Sequence, residues 1–132
     1  MAGLQVGSAR WAAYASPEPK VNFLVIPHLG WPKGKDDAVV YAACFLQVPV
    51  DVAAEFRLGS NDGFMLRVDG KPSGKVHKAR GLAYDADRFA IPLSPGVHRV
   101  LMKVDNHTKA FEFALRVVDP NGNRIPSLRV WN

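Results

Sequence analysis

"LGSNDGFMLRVDGK", residues 58–71, decides the fold class. Two Asp-Gly pairs, Asp62-Gly63 and Asp69-Gly70, bracket "FMLRV", in which Phe64, Leu66 and Val68 point one way and Met65 and Arg67 the other. A period of two is that of an extended strand with one buried face. Gly takes positive φ freely and Asp tolerates it, so each pair supplies a tight turn. The stretch reads as a strand with a hairpin corner at each end.

Outward from it the alternation recurs. "VAAEFRLGS" sets Val52, Ala54, Phe56 and Leu58 against Glu55 and Arg57; "RFAIPL" aligns Phe89, Ile91 and Leu93; "HRVLMKV" aligns Val100, Met102 and Val104; "FEFALRV" aligns Phe111, Phe113, Leu115 and Val117. Strands with one apolar face each require a second layer to cover them. "NFLVI" and "VVYAACFLQV" are continuously apolar and read as central strands covered on both sides. "DPNGNRIPSLRVW" offers an Asn-Gly turn and a short final strand. About eight strands at roughly ten-residue intervals, without a helical period, give an all-β chain: a β-sandwich of jelly-roll type.

The 132 residues suit one domain with one core. Residues 21–132 are expected to form the sandwich, and 1–20 an N-terminal extension or first edge strand. No apolar run approaches the roughly 20 residues of a membrane helix. "MAGLQVGSARWAAYASPEPK" lacks the continuous apolar stretch of a secretory leader. Cys44 is the only cysteine, which excludes an internal disulfide and a cysteine-rich zinc site. The net charge of +5 favours acidic partners.

The run "FRLGSNDGFMLRVDGK", then "KARGLAYDADRFAIPLSPGVHRVLMKVDN" and "FEFALRVVDPNGNRIPSLRV", resembles the galactose-binding-like jelly-roll modules appended to secreted polysaccharide-active enzymes. The resemblance covers about residues 39–130. It extends to the protective-antigen-type sugar-binding domain, in which a Ser-Asp-Asp-Gly loop helps to hold calcium that bridges to sugar hydroxyls. What it implies is a non-catalytic carbohydrate-binding accessory module, extracellular as part of a larger protein, with a polysaccharide or oligosaccharide as partner and a neighbouring domain of a parent enzyme beside it. Asn61 stands where the first aspartate of that pattern would be, which removes one formal charge from a calcium site. The candidate calcium ligands are Asn61, Asp62, Asp85 and Asp87.

Sugar recognition combines an aromatic ring against the apolar face of a pyranose with planar polar groups for its hydroxyls. Trp31 in "HLGWPKGK" and Tyr84 in "LAYDAD" lie in expected loops and are the stacking candidates. Asn61, Asp62 and Asp85 would accept from hydroxyls, and Arg80 would donate to a hydroxyl or carboxylate. The alternative for Trp31 is a ring capping the end of the core. Between Arg67 and Arg80 the chain carries Arg67, Lys71, Lys75, Lys78 and Arg80 against one acid, Asp69. Such a run is either a solvated face or an attractor of uronate, sulfate or phosphate, so an acidic polysaccharide is the sharper expectation.

Nucleic acid ranks below it, because most aromatics fall on inward positions and no recognition motif occurs. An enzyme is not expected. The four histidines form no His-x-His or His-x-x-x-His pair, and no nucleophile elbow, phosphate loop or dinucleotide fingerprint is present. The alternative function is a structural or protein-interaction module without its own small ligand.

Overall fold

The computed structural model describes residues 5–6, 9–26, 29 and 36–132. Its strands are β1 (Gln5–Val6), β2 (Ala9–Arg10), β3 (Val21–Asn22), β4 (Ala38–Val48), β5 (Glu55–Ser60), β6 (Phe64–Val68), β7 (Lys71–Val76), β8 (Asp87–Ala90), β9 (Gly96–Asn106), β10 (Glu112–Val118) and β11 (Arg129–Trp131). β1 and β2 pair with each other; the rest form a four-stranded sheet, β3-β10-β5-β8, and a five-stranded sheet, β11-β4-β9-β6-β7. Every pairing is antiparallel. The result is a β-sandwich, with no α-helix among the described residues.

The two Asp-Gly turns differ. Asp69 and Gly70 both take positive φ, 52° and 78°, and close the expected two-residue hairpin with Val68 opposite Lys71. Asp62-Gly63 instead carries the chain from β5 in one sheet to β6 in the other, so the second expected hairpin is a cross-sheet corner. Here Asp62 holds the left-handed conformation, at φ 55°. Gly63 is needed for space: a Cβ would lie 2.5 Å from Asp105 Oδ1 and 2.8 Å from the Val76 carbonyl oxygen.

The inward phase of the alternation builds the core. Phe56 and Leu58 of β5, Phe64 and Leu66 of β6, Val100, Met102 and Val104 of β9, and Phe113 of β10 meet between the sheets. Each such side chain contributes about 1.5–3 kcal/mol by leaving water. Phe23, Phe111 and Phe113 cluster at one end, with Phe23 edge-on to Phe111 at 4.9 Å and stacked on Phe113 at 5.4 Å. At the β7/β8 edge, Phe89 closes the sandwich by lying where a Cβ on Gly74 would be, 2.7 Å away.

Two strands differ from expectation. "NFLVI" is not a central strand: only Val21–Asn22 pairs, at a sheet edge, and Phe23–Val25 winds into a 3-10 turn. Asn22 Oδ1 accepts from the Leu24 amide at 3.0 Å, a local bond that draws the backbone out of the ladder. "VVYAACFLQV" is a long strand, β4, but it is not covered on both sides. Leu46 and Val48 are buried inward, whereas Tyr41 stands 53% exposed on the outer face.

Candidate functional site

Asp62 is held inside the corner, 7% exposed. Its Oδ1 accepts from the Arg80 amide at 3.1 Å and its Oδ2 from the His107 amide at 2.6 Å. Its own amide donates to the Arg80 carbonyl at 3.0 Å, and its carbonyl accepts from Ser60 Oγ at 2.8 Å. One carboxylate thus ties the β5–β6 corner to the loop after β7 and to the end of β9. Arg80 is committed in the same way: its guanidinium grips both oxygens of Asp87, at 3.2 and 2.5 Å, donates to Ser60 Oγ at 3.0 Å and lies 5.9 Å from the Phe64 ring centroid. Asn61 Oδ1 and Arg80 Nε are buried without a hydrogen-bond partner.

Asp85 belongs to a second cluster, on the outer face of the four-stranded sheet. The loop carrying it lies directly on β5, where a Cβ at Gly59 would meet the Ala83 carbonyl oxygen at 2.0 Å. Asp85 pairs with Arg116 through both oxygens and lies 3.9 Å from Arg57. Arg116 is the main reason the Asp85 carboxyl sits below its usual range. Arg57 is itself buried against Glu55 at 2.6 Å. Tyr84 is exposed on this loop. Trp31 lies outside the described residues.

The sequence-derived set therefore divides: Asp62 and Arg80 meet at the corner, beside Asn61, and Asp85 is engaged elsewhere. Three of the four candidate calcium ligands, Asp62, Asp85 and Asp87, already accept from protein donors. No group of three or more His, Cys, Asp or Glu side chains able to hold a metal ion occurs among the described residues. The arrangement does not fit calcium, because a hard cation needs several converging oxygens not already held by N–H groups.

Among the described residues, two hollows beside the core stand out. A cleft of about 380 Å³ opens beside the corner, lined by Asp37, Asp62, His77, Asp105 and His107 among others. Asp37 and His107 pair across it at 2.9 Å, which raises the imidazole's pKa. The larger hollow, about 520 Å³, is an apolar groove at the β3/β4 edge, with Tyr14, Phe23, Cys44, Phe113 and Trp131 in its walls. Burial there pushes the Cys44 thiol above its ordinary range and disfavours the nucleophilic thiolate.

The outer face of the five-stranded sheet carries a polar and aromatic surface. Register places residues on it in rows across the strands. Tyr41, Lys103, Met65 and Lys75 form one row, Ala43, Leu101 and Arg67 the next, and Trp131, Phe45 and Arg99 a third; Arg129, Gln47 and Val97 follow. Trp131 stacks on Phe45 with centroids 6.0 Å apart and planes 26° apart, and remains 41% exposed. Tyr41 and Phe45, four residues apart on one strand, are separated by about 13 Å. Sequence reading missed this face because Tyr41 sat in an apolar run. The signal was the outward phase of β4 and β9, with Tyr41 and Gln47 on one strand and Arg99 and Lys103 on the other.

His98 is another residue the sequence concealed. It shares the inward phase of Val100 and is buried, with Nδ1 2.6 Å from Asp69 Oδ2 and Nε2 2.7 Å from the Ser94 carbonyl. Two acceptors on one ring call for the doubly protonated form, so the Ser94 carbonyl and then Asp69 raise its pKa against the cost of burial. Burial alone would lift the Asp69 carboxyl, but the bonds from His98 and the Arg99 amide hold it low. A raised folded-state pKa gives stability that is complete below the unfolded value, about 6.5, and is lost as pH rises through the folded one. Thermal unfolding from about pH 6 to about pH 8.5 will show stability falling by at most about 1.4 kcal/mol per unit from this residue. His98→Asn will be less stable at the acid end and will show the shallower decline.

Compared with protein-family models, with curated protein sequences and with solved structures, the chain gives no significant match in any of the three.

Proposed function

We propose that this chain is a non-catalytic carbohydrate-binding module, a galactose-binding-like jelly roll serving a larger extracellular polysaccharide-active protein. The observation that carries the reading is the aromatic platform on the outer face of the five-stranded sheet: exposed Tyr41 and exposed Trp131, the latter stacked on half-buried Phe45, all on a rigid sheet rather than on loops. Such rings supply large apolar contact area with little conformational entropy to lose, which suits the apolar face of a sugar ring. Long side chains on the strands beside them, Lys103 and Arg99 on β9 and Arg67 on β6, reach donors to hydroxyls or acid groups. The polar residues of the Asp62 corner serve the fold and do not contact ligand.

Affinity electrophoresis in gels containing soluble polysaccharides tests this. The chain is expected to be retarded, and Tyr41→Ala with Trp131→Ala to abolish the retardation, a loss of about 2 kcal/mol or more if these rings are the anchors. Tyr84→Ala should migrate as the parent does. Unretarded migration in every gel rejects the reading.

The apolar groove favours a second reading, a structural or protein-interaction module that packs its β3/β4 edge on a neighbouring domain. That reading predicts no glycan affinity.

A further inference from the structure

The ion pairs of this molecule are unevenly placed. Arg57, Arg80 and Arg116 pair with Glu55, Asp87 and Asp85, and Lys20 with Glu112 at 2.9 Å. All four cations lie on the four-stranded sheet or on the segments beside it. The outer face of the five-stranded sheet carries five others, Arg67, Lys75, Arg99, Lys103 and Arg129. None of the five forms an ion pair with a carboxylate of the described residues. The register puts one acid on the same face, Asp105, at its far end and against Gly63. Asp69, at the β6–β7 turn, is already engaged by His98 and the Arg99 amide.

The pattern has a direction. Lys75 on β7, Arg67 on β6 and Arg99 on β9 step one strand over and one row along each time, and Arg129 on β11 prolongs the line. With strands about 4.8 Å apart and same-face residues about 6.8 Å apart, the steps from Lys75 to Arg67 and from Arg67 to Arg99 are about 8 Å each, and the last, two strands over to Arg129, is about 12 Å. The line crosses the sheet obliquely and ends beside Trp131; Lys103 flanks Tyr41. Arg suits planar, bidentate recognition of carboxylate or sulfate, and a row of uncompensated cations attracts a polymer with regularly spaced anions far more than a neutral one.

We infer that this face binds an acidic polysaccharide, laid obliquely across the strands, with Lys75, Arg67, Arg99 and Arg129 meeting its carboxylate or sulfate groups and Tyr41 and Trp131 stacking on its rings. The assignment rests on the glycan reading above and adds the ligand's charge, its path and the residues that meet it. Nucleic acid shares the anionic backbone, but the exposed rings here are two, at one side of the face, rather than a series interleaved along the cationic line as single-strand binders have.

The test uses the full chain and four probes at matched salt: polygalacturonate, its fully methyl-esterified form, dextran sulfate and single-stranded oligothymidylate. Binding to polygalacturonate or dextran sulfate is expected, with log affinity falling linearly as log salt rises. Which of the two binds better separates a carboxylate from a sulfate ligand. Esterification should cost at least about tenfold, and Arg67→Gln with Arg99→Gln a further drop of about tenfold or more. Arg88→Gln, an exposed cation on the other sheet, should bind as the parent does. Equal affinity for the esterified and acidic forms overturns the acidic assignment and leaves the glycan reading standing. No affinity for any polysaccharide overturns both. Tighter binding to oligothymidylate than to either acidic polysaccharide overturns the assignment in favour of nucleic acid. Full affinity in the Arg67, Arg99 variant overturns the placement on this face.

Discussion

Asp62→Ala will lower the unfolding free energy by about 3–6 kcal/mol, because a buried charge-assisted hydrogen bond is worth about 1.5–3 kcal/mol and two are lost together. The substitution strips the Arg80 and His107 amides of their acceptor at the junction of three chain segments. Asp62→Asn will do less harm, since one amide oxygen can still accept, while its NH2 faces a donor. Urea unfolding with and without calcium checks both. The parent and the variants should each give the same midpoint in the two conditions. A calcium-dependent midpoint in the parent that disappears in Asp62→Ala would mean that the corner is a cation site.

Arg80→Met will cost about 3–5 kcal/mol, the range for breaking a poorly hydrated ion pair from one side. Asp87 would lose both of its guanidinium contacts and Ser60 a donor, in a place where the side chains of Arg80 and Asp87 are only 14% and 17% exposed. Arg80→Met combined with Asp87→Leu should recover part of the loss, because the unpaired carboxylate is then gone. Chemical denaturation of the two single variants and the double variant yields the coupling energy. A double variant no more stable than Arg80→Met would show that the pair itself contributes little and that Arg80 acts through its contacts with Ser60 and Phe64.

Both predictions concern residues that the sequence marks as conspicuous and whose roles it conceals. Period-two alternation located β5, β6, β9 and β10 because a side chain's direction follows from its place along an extended strand. The Asp69-Gly70 hairpin was legible for the same local reason. What alternation cannot convey is which sheet a strand joins. Asp62-Gly63 and Asp69-Gly70 look alike in sequence, yet one turns within a sheet and the other passes between sheets, a difference set by contacts with Asp105, Arg80 and His107 far along the chain. The same limit governs charges. Asp85 and Asp87 are near neighbours in sequence, but their arginine partners differ, Arg116 for one and Arg80 for the other. The run from Arg67 to Arg80 drew notice to Arg67 and Lys75. Their companions Arg99, Lys103 and Arg129 join them only through strand pairing.

Ligand is expected to meet the outer face of the five-stranded sheet and to leave the Asp62 corner untouched. Amide chemical-shift mapping on titration with a polygalacturonate oligomer tests this most directly. Shifts are expected at Tyr41, Phe45, Arg67, Arg99, Lys103 and Trp131, with residues 60–62 and 80–87 unmoved. Shifts confined to residues 60–62 and 80–87 would place the ligand at the corner instead.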